Sequence, residues 1–211
     1  MSYIEIHNYT KMLRRNTVLN HINLKLERGK IYGLVGKNGS GKTMLIRAIS
    51  GLVTATEGEI TVDSVKVGNG KYPKSLGIVI ENITMLEYMS AFENLKMLND
   101  ISENKISDDE IREWIKKFSL DPNDRRVIKK YSLGMCQKVS LIQAFMNNPD
   151  LIILDEPTNA LDDASVSLLM EIIRDVNKNN GTTFIIASHD KVTVNSICDE
   201  IIEMRDGKIE G

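Results

Sequence analysis

Apolar and polar residues alternate through the first third of the chain in the pattern of β-strands. Residues 2–6 (SYIEI) and 18–26 (VLNHINLKL) place apolar side chains at alternate positions and predict two strands. A short apolar run at residues 31–35 (IYGLV) predicts a third strand that ends at a glycine-rich turn. Residues 59–67 (EITVDSVKV) and 76–80 (LGIVI) predict two more strands. The beginning of the chain is therefore predicted to consist mainly of strands.

The middle of the chain has helical spacing instead. Residues 86–98 and 107–118 predict helices, and Ser107 with Glu110 three positions later has the pattern of a capping box. Residues 85–135 are therefore predicted to form a helical block within an otherwise mixed chain. In the second helix four apolar side chains share one face and are predicted to pack against a core: Ile111, Trp114, Ile115 and Phe118.

Strands and helices alternate in the last third of the chain. LIILD (151–155) and TTFIIA (182–187) predict strands, and residues 163–178 between them predict a helix. A short helix over residues 190–197 and a hairpin with a tight Asp-Gly turn complete the pattern. Since parallel strands need crossover connections, this alternation predicts an α/β fold with a mostly parallel sheet covered on both faces.

The composition limits the possible classes of function. The 211 residues are enough for one sizeable core, and 42% hydrophobic with 27% charged residues is typical of soluble globular proteins. The formal net charge of −2 gives no support for nucleic-acid binding through bulk electrostatics. Cys136 and Cys198 lack the spacing of a zinc site. No signal peptide is apparent, and no stretch approaches the roughly 18 apolar residues that span a bilayer, so another chain would have to supply any membrane span.

A glycine-rich segment follows the third predicted strand. GKNGSGKT has the P-loop pattern of glycine, any four residues, Gly-Lys and Ser or Thr. Its glycines let successive backbone N–H groups point at phosphate oxygens, and the helix that follows directs its positive dipole end at the same anion. Lys42 is predicted to reach the β- and γ-phosphates, and the Thr43 hydroxyl to bind Mg²⁺. The predicted nucleotide-binding residues are Gly36, Lys37, Asn38, Gly39, Ser40, Gly41, Lys42 and Thr43.

Two adjacent carboxylates end a later apolar strand. In LIILDEP (151–157), four apolar residues deliver Asp155 to the exposed end of the strand, where it is predicted to hold Mg²⁺. Glu156 beside it is suited to polarise an attacking water molecule. Taken alone, the segment could be an acidic turn after a strand. The presence of a P-loop in the same chain favours the magnesium and water site.

The order of these motifs resembles the nucleotide-binding subunits of ABC (ATP-binding cassette) transporters, and the resemblance covers essentially the whole chain. GKNGSGKT resembles the Walker A motif, and LIILDEP resembles Walker B with its catalytic glutamate. YSLGMCQ (131–137) lies where that family has its LSGGQ signature. NALD (159–162) resembles the D-loop, and SHD (188–190) resembles the switch region.

The resemblance implies roles for further residues. His189 would be the switch histidine that contacts the γ-phosphate or the attacking water, and Asp162 would end the D-loop. Ser132 and Gly134 would contact the ATP held by a second subunit, although a plain helix N-cap remains an alternative for Ser132. Tyr9 would be the aromatic residue that stacks on adenine.

The sequence departs from the family pattern in two places, and these departures bear on the branch of the family that it resembles. Glu81 stands where the family usually has a glutamine that contacts Mg²⁺, and it is predicted to be a metal ligand. Leu133 and Met135 replace a glycine and the glutamine of the signature. The SLGM variant, with IVIEN and then FENL (92–95), resembles a bacterial branch that exports or confers immunity to peptide antibiotics, including lantibiotics.

The resemblance as a whole implies a single ABC ATP-binding domain over residues 1–211. Its fold would be a P-loop NTPase core with a mostly parallel sheet, an N-terminal antiparallel β subdomain and the inserted α-helical subdomain at about residues 85–135. Its activity would be ATP hydrolysis with ATP and Mg²⁺ as cofactors.

The implied partners are a second ATP-binding subunit, in a homodimer around two ATP molecules, and a separate transmembrane permease. The permease would hold the chain at the cytoplasmic face of the membrane as part of an exporter, and no nucleic acid is expected. A soluble ABC ATPase that is not coupled to transport and a small-molecule kinase are the alternatives. A kinase would not carry SLGM, NALD and SHD in this order.

Overall fold

The computed structural model of the chain describes residues 2–80 and 85–210, without the side chains of residues 191–193. The strands are β1 Ser2–Leu13, β2 Asn16–Glu27, β3 Ile31–Val35, β4 Glu57–Val62, β5 Val65–Lys66, β6 Leu76–Val79, β7 Leu151–Asp155, β8 Thr183–Ser188, β9 Glu200–Arg205 and β10 Lys208–Glu210. The helices are α1 Lys42–Ile49, α2 Ala91–Ile101, α3 Asp108–Lys117, α4 Leu133–Phe145, α5 Asp163–Asn180 and α6 Lys191–Ile197.

The strands form two sheets. An antiparallel sheet of the N-terminal region has the order β2-β1-β4-β5, and a six-stranded sheet has the order β10-β9-β3-β8-β7-β6. In the larger sheet every neighbouring pair is parallel except β9 with β10. The prediction of an α/β fold with a mostly parallel sheet and an N-terminal antiparallel sheet is confirmed.

The single strand predicted over residues 59–67 is wrong, because the chain turns back within it. Asp63 and Ser64 have positive φ angles of 49° and 62°, and they connect β4 to β5 as a hairpin. Non-glycine residues take this left-handed conformation only in special turns, and neither residue forms the Asn-Gly or Asp-Gly pair that announces such a turn in a sequence.

The central strands β3, β7 and β8 are buried at every position because both faces of the sheet are covered. In β7, Ile152 and Leu154 belong to a core shared with the helices, whereas Leu151 and Ile153 belong to a core shared with the N-terminal sheet and α1. The alternation follows from the two-residue period of a strand. One sheet therefore separates two apolar cores, and its strand ends reach the surface.

The helical block packs onto this sheet. The predicted capping box at Ser107 is present, and a second one at Ser90 begins α2 at Ala91, five residues later than the predicted start. Four aromatic rings with neighbouring centroids 5.8–6.4 Å apart connect α3 and α4 to β8: Trp114, Phe118, Phe145 and Phe184. Among the described residues, no helix has the length and apolar character needed to cross a membrane.

Candidate functional site

Three neighbouring parallel strands end at the same edge of the larger sheet. The P-loop follows β3, the Asp155-Glu156 pair lies at the end of β7, and the Ser188-His189 pair lies at the end of β8, which runs between the other two. Because carboxyl ends of parallel strands share one edge, the fold brings these distant segments together. This edge is where the candidate site forms.

The P-loop has the backbone shape that its glycines permit. Gly39 and Gly41 have φ angles of 81° and 106°, which side chains other than hydrogen rarely allow. A Cβ atom on Gly36 would lie 2.6 Å from the Ser40 hydroxyl oxygen and against the Met204 carbonyl oxygen. Helix α1 begins at Lys42, so its N-terminus opens onto the loop. The loop therefore offers a narrow concave backbone beside a positive helix end.

Two polar groups inside the loop fit an anionic ligand. The Lys42 ammonium group lies 2.7 Å from the Gly36 carbonyl oxygen and 3.4 Å from that of Lys37, although its side chain is almost entirely buried. Among the described side chains, the hydroxyl of Ser40 is buried without a hydrogen-bond partner. Both hydrogen bonds of Lys42 within the described part of the chain go to carbonyl oxygens, and a phosphate group would supply a counter-charge to the buried cation.

A hydroxyl and a carboxylate meet at the beginning of α1. The Thr43 hydroxyl donates a 2.6 Å hydrogen bond to Oδ2 of Asp155. Both are oxygen ligands suited to Mg²⁺, which usually takes one or two protein ligands and completes its octahedron with phosphate oxygens and water. The described residues contain no cluster of three His, Cys, Asp or Glu side chains that could hold a metal. The Thr43 hydroxyl and the Asp155 carboxylate are a donor set that fits a magnesium ion arriving with a nucleotide.

The second carboxylate is held by the last residue of β8 and the residue that follows it. Oε2 of Glu156 accepts a hydrogen bond from the Ser188 hydroxyl at 3.1 Å and lies 2.9 Å from Nδ1 of His189. Oε1 accepts one from the backbone N–H of His189 at 3.0 Å. The carboxylate is thus oriented by contacts to both of its oxygens.

The P-loop and the two carboxylates line a cleft of about 540 Å³. The P-loop residues from Asn38 to Thr43, together with Asp155 and Glu156, form one part of its wall. His189 lies in an adjoining cleft, on the other side of the P-loop, with Gly36 and Lys37. Five lining residues were not among the predicted ones: Val18, Met44, Arg47, Gln137 and Asn159. Gln137 and Asn159 belong to YSLGMCQ and NALD, so the motifs contained a signal for them.

The prediction that Tyr9 stacks on adenine is corrected by the structure. Tyr9 is 2% exposed in the core beneath the N-terminal sheet, and its hydroxyl donates a 3.3 Å bond to the Val53 carbonyl oxygen. A ring packed on both faces cannot receive a base, so Tyr9 is a core residue. Glu81, the predicted metal ligand, lies outside the described residues.

The signature-like segment begins α4. The Ser132 side chain accepts a 3.2 Å hydrogen bond from the Met135 N–H, which makes it the N-cap of this helix. A Cβ atom on Gly134 would lie 2.7 Å from the carbonyl oxygen of Ala160. Ser132 and Gly134 are not among the described residues that line the two clefts. Ser132 is exposed, whereas Gly134 is partly buried against the Ala160 backbone.

The D-loop begins a helix in the same way. The Asp162 side chain accepts a 2.8 Å hydrogen bond from the Ser165 N–H and caps α5. The Ser165 hydroxyl and then its backbone N–H hold the pKa of the Asp162 carboxyl below its ordinary value. Asp162 therefore stabilises the N-terminus of α5 within this chain, independently of any contact with a second subunit.

Comparison with known proteins gives the same assignment as the motif order. A family model described as ABC transporter matches residues 19–159. YybJ of Bacillus subtilis (strain 168), an uncharacterized ABC transporter ATP-binding protein, is 43% identical over 208 residues, which cover 98% of this chain and 94% of YybJ. The lantibiotic transport ATP-binding protein SrtF of Streptococcus pyogenes is 34% identical over 98% of this chain and 88% of its own length.

Two further comparisons extend the assignment. The bacitracin transport ATP-binding protein BcrA of Enterococcus faecalis is 33% identical over 98% of this chain and 67% of its own length. The dimeric structure of MJ0796, a bacterial ABC transporter cassette, matches with a TM-score of 0.89 at 27% identity and covers 99% of this chain and 97% of that one. The chain therefore belongs to the ABC transporter family, as one of its ATP-binding subunits.

Proposed function

We propose that this chain binds Mg²⁺ and ATP in the strand-end cleft lined by the P-loop, Asp155 and Glu156, and hydrolyses the ATP to ADP and phosphate. The observation that carries the proposal is the convergence on one cleft of a buried ammonium group, a hydroxyl–carboxylate pair and a second carboxylate. The four residues come from two segments that lie far apart in the sequence, Lys42 with Thr43 and Asp155 with Glu156. In this family MJ0796 has also been described in a post-hydrolysis state with ADP and Pi.

Each group has a task that its position supports. The P-loop N–H groups and Lys42 bind and orient the phosphates, and Lys42 exchanges its carbonyl contacts for phosphate oxygens. Thr43 and Asp155 would hold Mg²⁺, which neutralises phosphate charge when it is bound. Glu156 accepts a hydrogen bond from the attacking water and draws its proton, and His189 contacts the reacting phosphate from the adjoining cleft.

The signature-like segment supports a two-chain site. Because Ser132 and Gly134 lie outside their own chain's clefts, we propose that they contact the nucleotide of a second copy, arranged head to tail. The exposed N-terminus of α4 then offers backbone N–H groups to that nucleotide's phosphates. The dimeric form of MJ0796 is consistent with this arrangement.

We further propose that the chain powers a separate transmembrane permease from the cytoplasmic face of the membrane. The names of SrtF and BcrA refer to lantibiotic and bacitracin transport, and they favour a peptide antibiotic as the exported substrate. Purification from detergent-solubilised membranes tests this part: a multispan partner is expected, and recovery of DNA or ribosomes instead would contradict it.

Two variants test the hydrolytic site. Glu156→Gln should leave ATP binding intact and lower turnover by about 10²- to 10⁴-fold, the usual contribution of a general base. Lys42→Ala should weaken ATP binding in calorimetry. Glu171→Gln, the same substitution on an exposed face of α5, is the matched control and should retain full activity. Wild-type turnover in Glu156→Gln would contradict the role of this carboxylate, and unchanged ATP affinity in Lys42→Ala would contradict the phosphate site.

A further inference from the structure

The hydroxyl of Ser188 makes two hydrogen bonds that the reaction above does not use. It donates to Oε2 of Glu156 at 3.1 Å and accepts from the backbone N–H of Asp190 at 3.1 Å. Ser188 is the last residue of β8 and is paired with Val35 of β3, directly before the P-loop. Its side chain is therefore held by the sheet on one side and by the following loop on the other.

Ser188 and His189 differ in how firmly they are held. The residue Ser188 is 3% exposed, whereas the His189 side chain is 62% exposed and contacts Glu156 through one ring nitrogen. An exposed imidazole that turns towards a phosphate gives up its bond to Glu156. The Ser188 hydroxyl and the His189 backbone N–H would then still hold one carboxylate oxygen each.

We propose that Ser188 is a positioning residue for the proposed hydrolysis, because its hydroxyl fixes the orientation of the Glu156 carboxylate while the His189 ring engages the nucleotide. The inference rests on the proposed role of Glu156. A hydrogen bond to an ionised acceptor is stronger and more directional than one between neutral groups, so it suits this task. Since Ser188 does not line the clefts formed by the described residues, it acts through Glu156 and not on the nucleotide.

The purified full chain tests the proposal through three variants. Ser188→Ala should lower kcat by about 10- to 100-fold, the usual effect of losing a hydrogen bond to a charged group. It should leave the KM for ATP and the calorimetric Kd within about twofold, because the phosphate site is unchanged. Ser188→Thr keeps the hydroxyl and should recover most of the turnover. Ser50→Ala removes another buried hydroxyl, bonded to the Ile46 carbonyl oxygen at 2.8 Å, and should leave kcat unchanged.

Single-turnover rates in a Glu156→Gln background separate positioning from a purely structural role. If Ser188 acts through Glu156, adding Ser188→Ala to Glu156→Gln should not lower the residual rate further. An equal loss in both backgrounds would overturn the proposal, and so would wild-type kcat in Ser188→Ala. A different result would contradict the proposed role of Glu156 itself, namely wild-type turnover in the Glu156→Gln variant.

Discussion

The close approach of Gly134 to the segment before Asp162 makes Gly134→Ala an informative substitution. The new Cβ atom would lie 2.7 Å from the Ala160 carbonyl oxygen, whereas ordinary van der Waals contact begins at 3.4 Å. The two segments must therefore separate by about 0.7 Å, the difference between these distances. Ala160 has a φ angle of 64°, a strained value for alanine, so its backbone has little freedom to adapt.

The net effect on stability is the difference between two terms. Overpacking of this kind costs about 1–3 kcal/mol. Replacing glycine by alanine within a helix gains about 0.5–1 kcal/mol. We therefore expect Gly134→Ala to lower the free energy of unfolding by about 1 kcal/mol, which corresponds to a fall in Tm of about 2–4 °C for a chain of this size.

The effect on turnover should exceed the effect on stability. A sub-ångström displacement of a catalytic segment can lower a rate by a large factor, so we expect kcat to fall at least about tenfold. The ATP affinity of the isolated chain should stay within about threefold, because Gly134 lies outside the clefts lined by the described residues. Leu133→Ala, at an 80% exposed position in the same turn, is the control for stability and should change it by less than about 0.5 kcal/mol.

Thermal unfolding, steady-state ATPase rates and calorimetry measure the three quantities. A Gly134→Ala variant with wild-type Tm and wild-type kcat would refute the reasoning, because the contact with Ala160 could then not be close. A lower Tm with normal kcat would restrict the contact to a structural role.

Two further predictions concern Tyr9 and the helix caps. Tyr9→Phe removes one hydrogen bond to Val53, so it should lower the free energy of unfolding in denaturant by at most about 1.5 kcal/mol. The calorimetric Kd for Mg²⁺–ATP should stay within about twofold of the wild-type value. A tenfold weaker Kd would instead show that Tyr9 contacts the nucleotide. Bonds from the Ser107 backbone and hydroxyl hold the pKa of Glu110 below its ordinary value of 4.5, so this ion stabilises the fold above that pH and the stabilisation is lost as the pH falls through the lowered pKa. The stability difference between wild type and Glu110→Gln should therefore shrink between pH 6 and pH 3, and a constant difference would contradict the role of the charge.

The larger sheet could be predicted because its pattern has a simple physical cause. The first four positions of β7 are apolar because both faces of the strand are buried, and the strand ends at the buried carboxylate of Asp155. The start of α2 was predicted five residues early, although Ser90 with Glu93 has the same capping pattern as Ser107 with Glu110. That signal was present in the sequence and would have placed the boundary correctly.

The candidate site divides into a predictable and an unpredictable part. The P-loop and the Asp155-Glu156 pair are local motifs, so their composition identifies them. Arg47 follows Thr43 by four residues on α1, so helical spacing could have indicated it. Val18 reaches the cleft only through tertiary packing, and no spacing indicates it in advance. The adenine-stacking prediction for Tyr9 is wrong for a related reason. The pairing of β1 with β2 is irregular on both sides of Tyr9, and this irregularity decides which face of the strand its side chain occupies.

The backbone conformation of Glu156 lowers the stability of the fold and at the same time positions a side chain of the candidate site. Glu156 has a φ angle of 48°, which costs of order 1 kcal/mol or more for a residue with a side chain. Its N–H donates a 2.8 Å bond to the Ala187 carbonyl oxygen, and Ser188 and His189 at the end of β8 hold its carboxylate. Glycine would relieve the strain at this position but would remove the carboxylate. The strain is therefore retained because the turn that produces it directs Glu156 towards Ser188 and His189, at the edge of the nucleotide cleft.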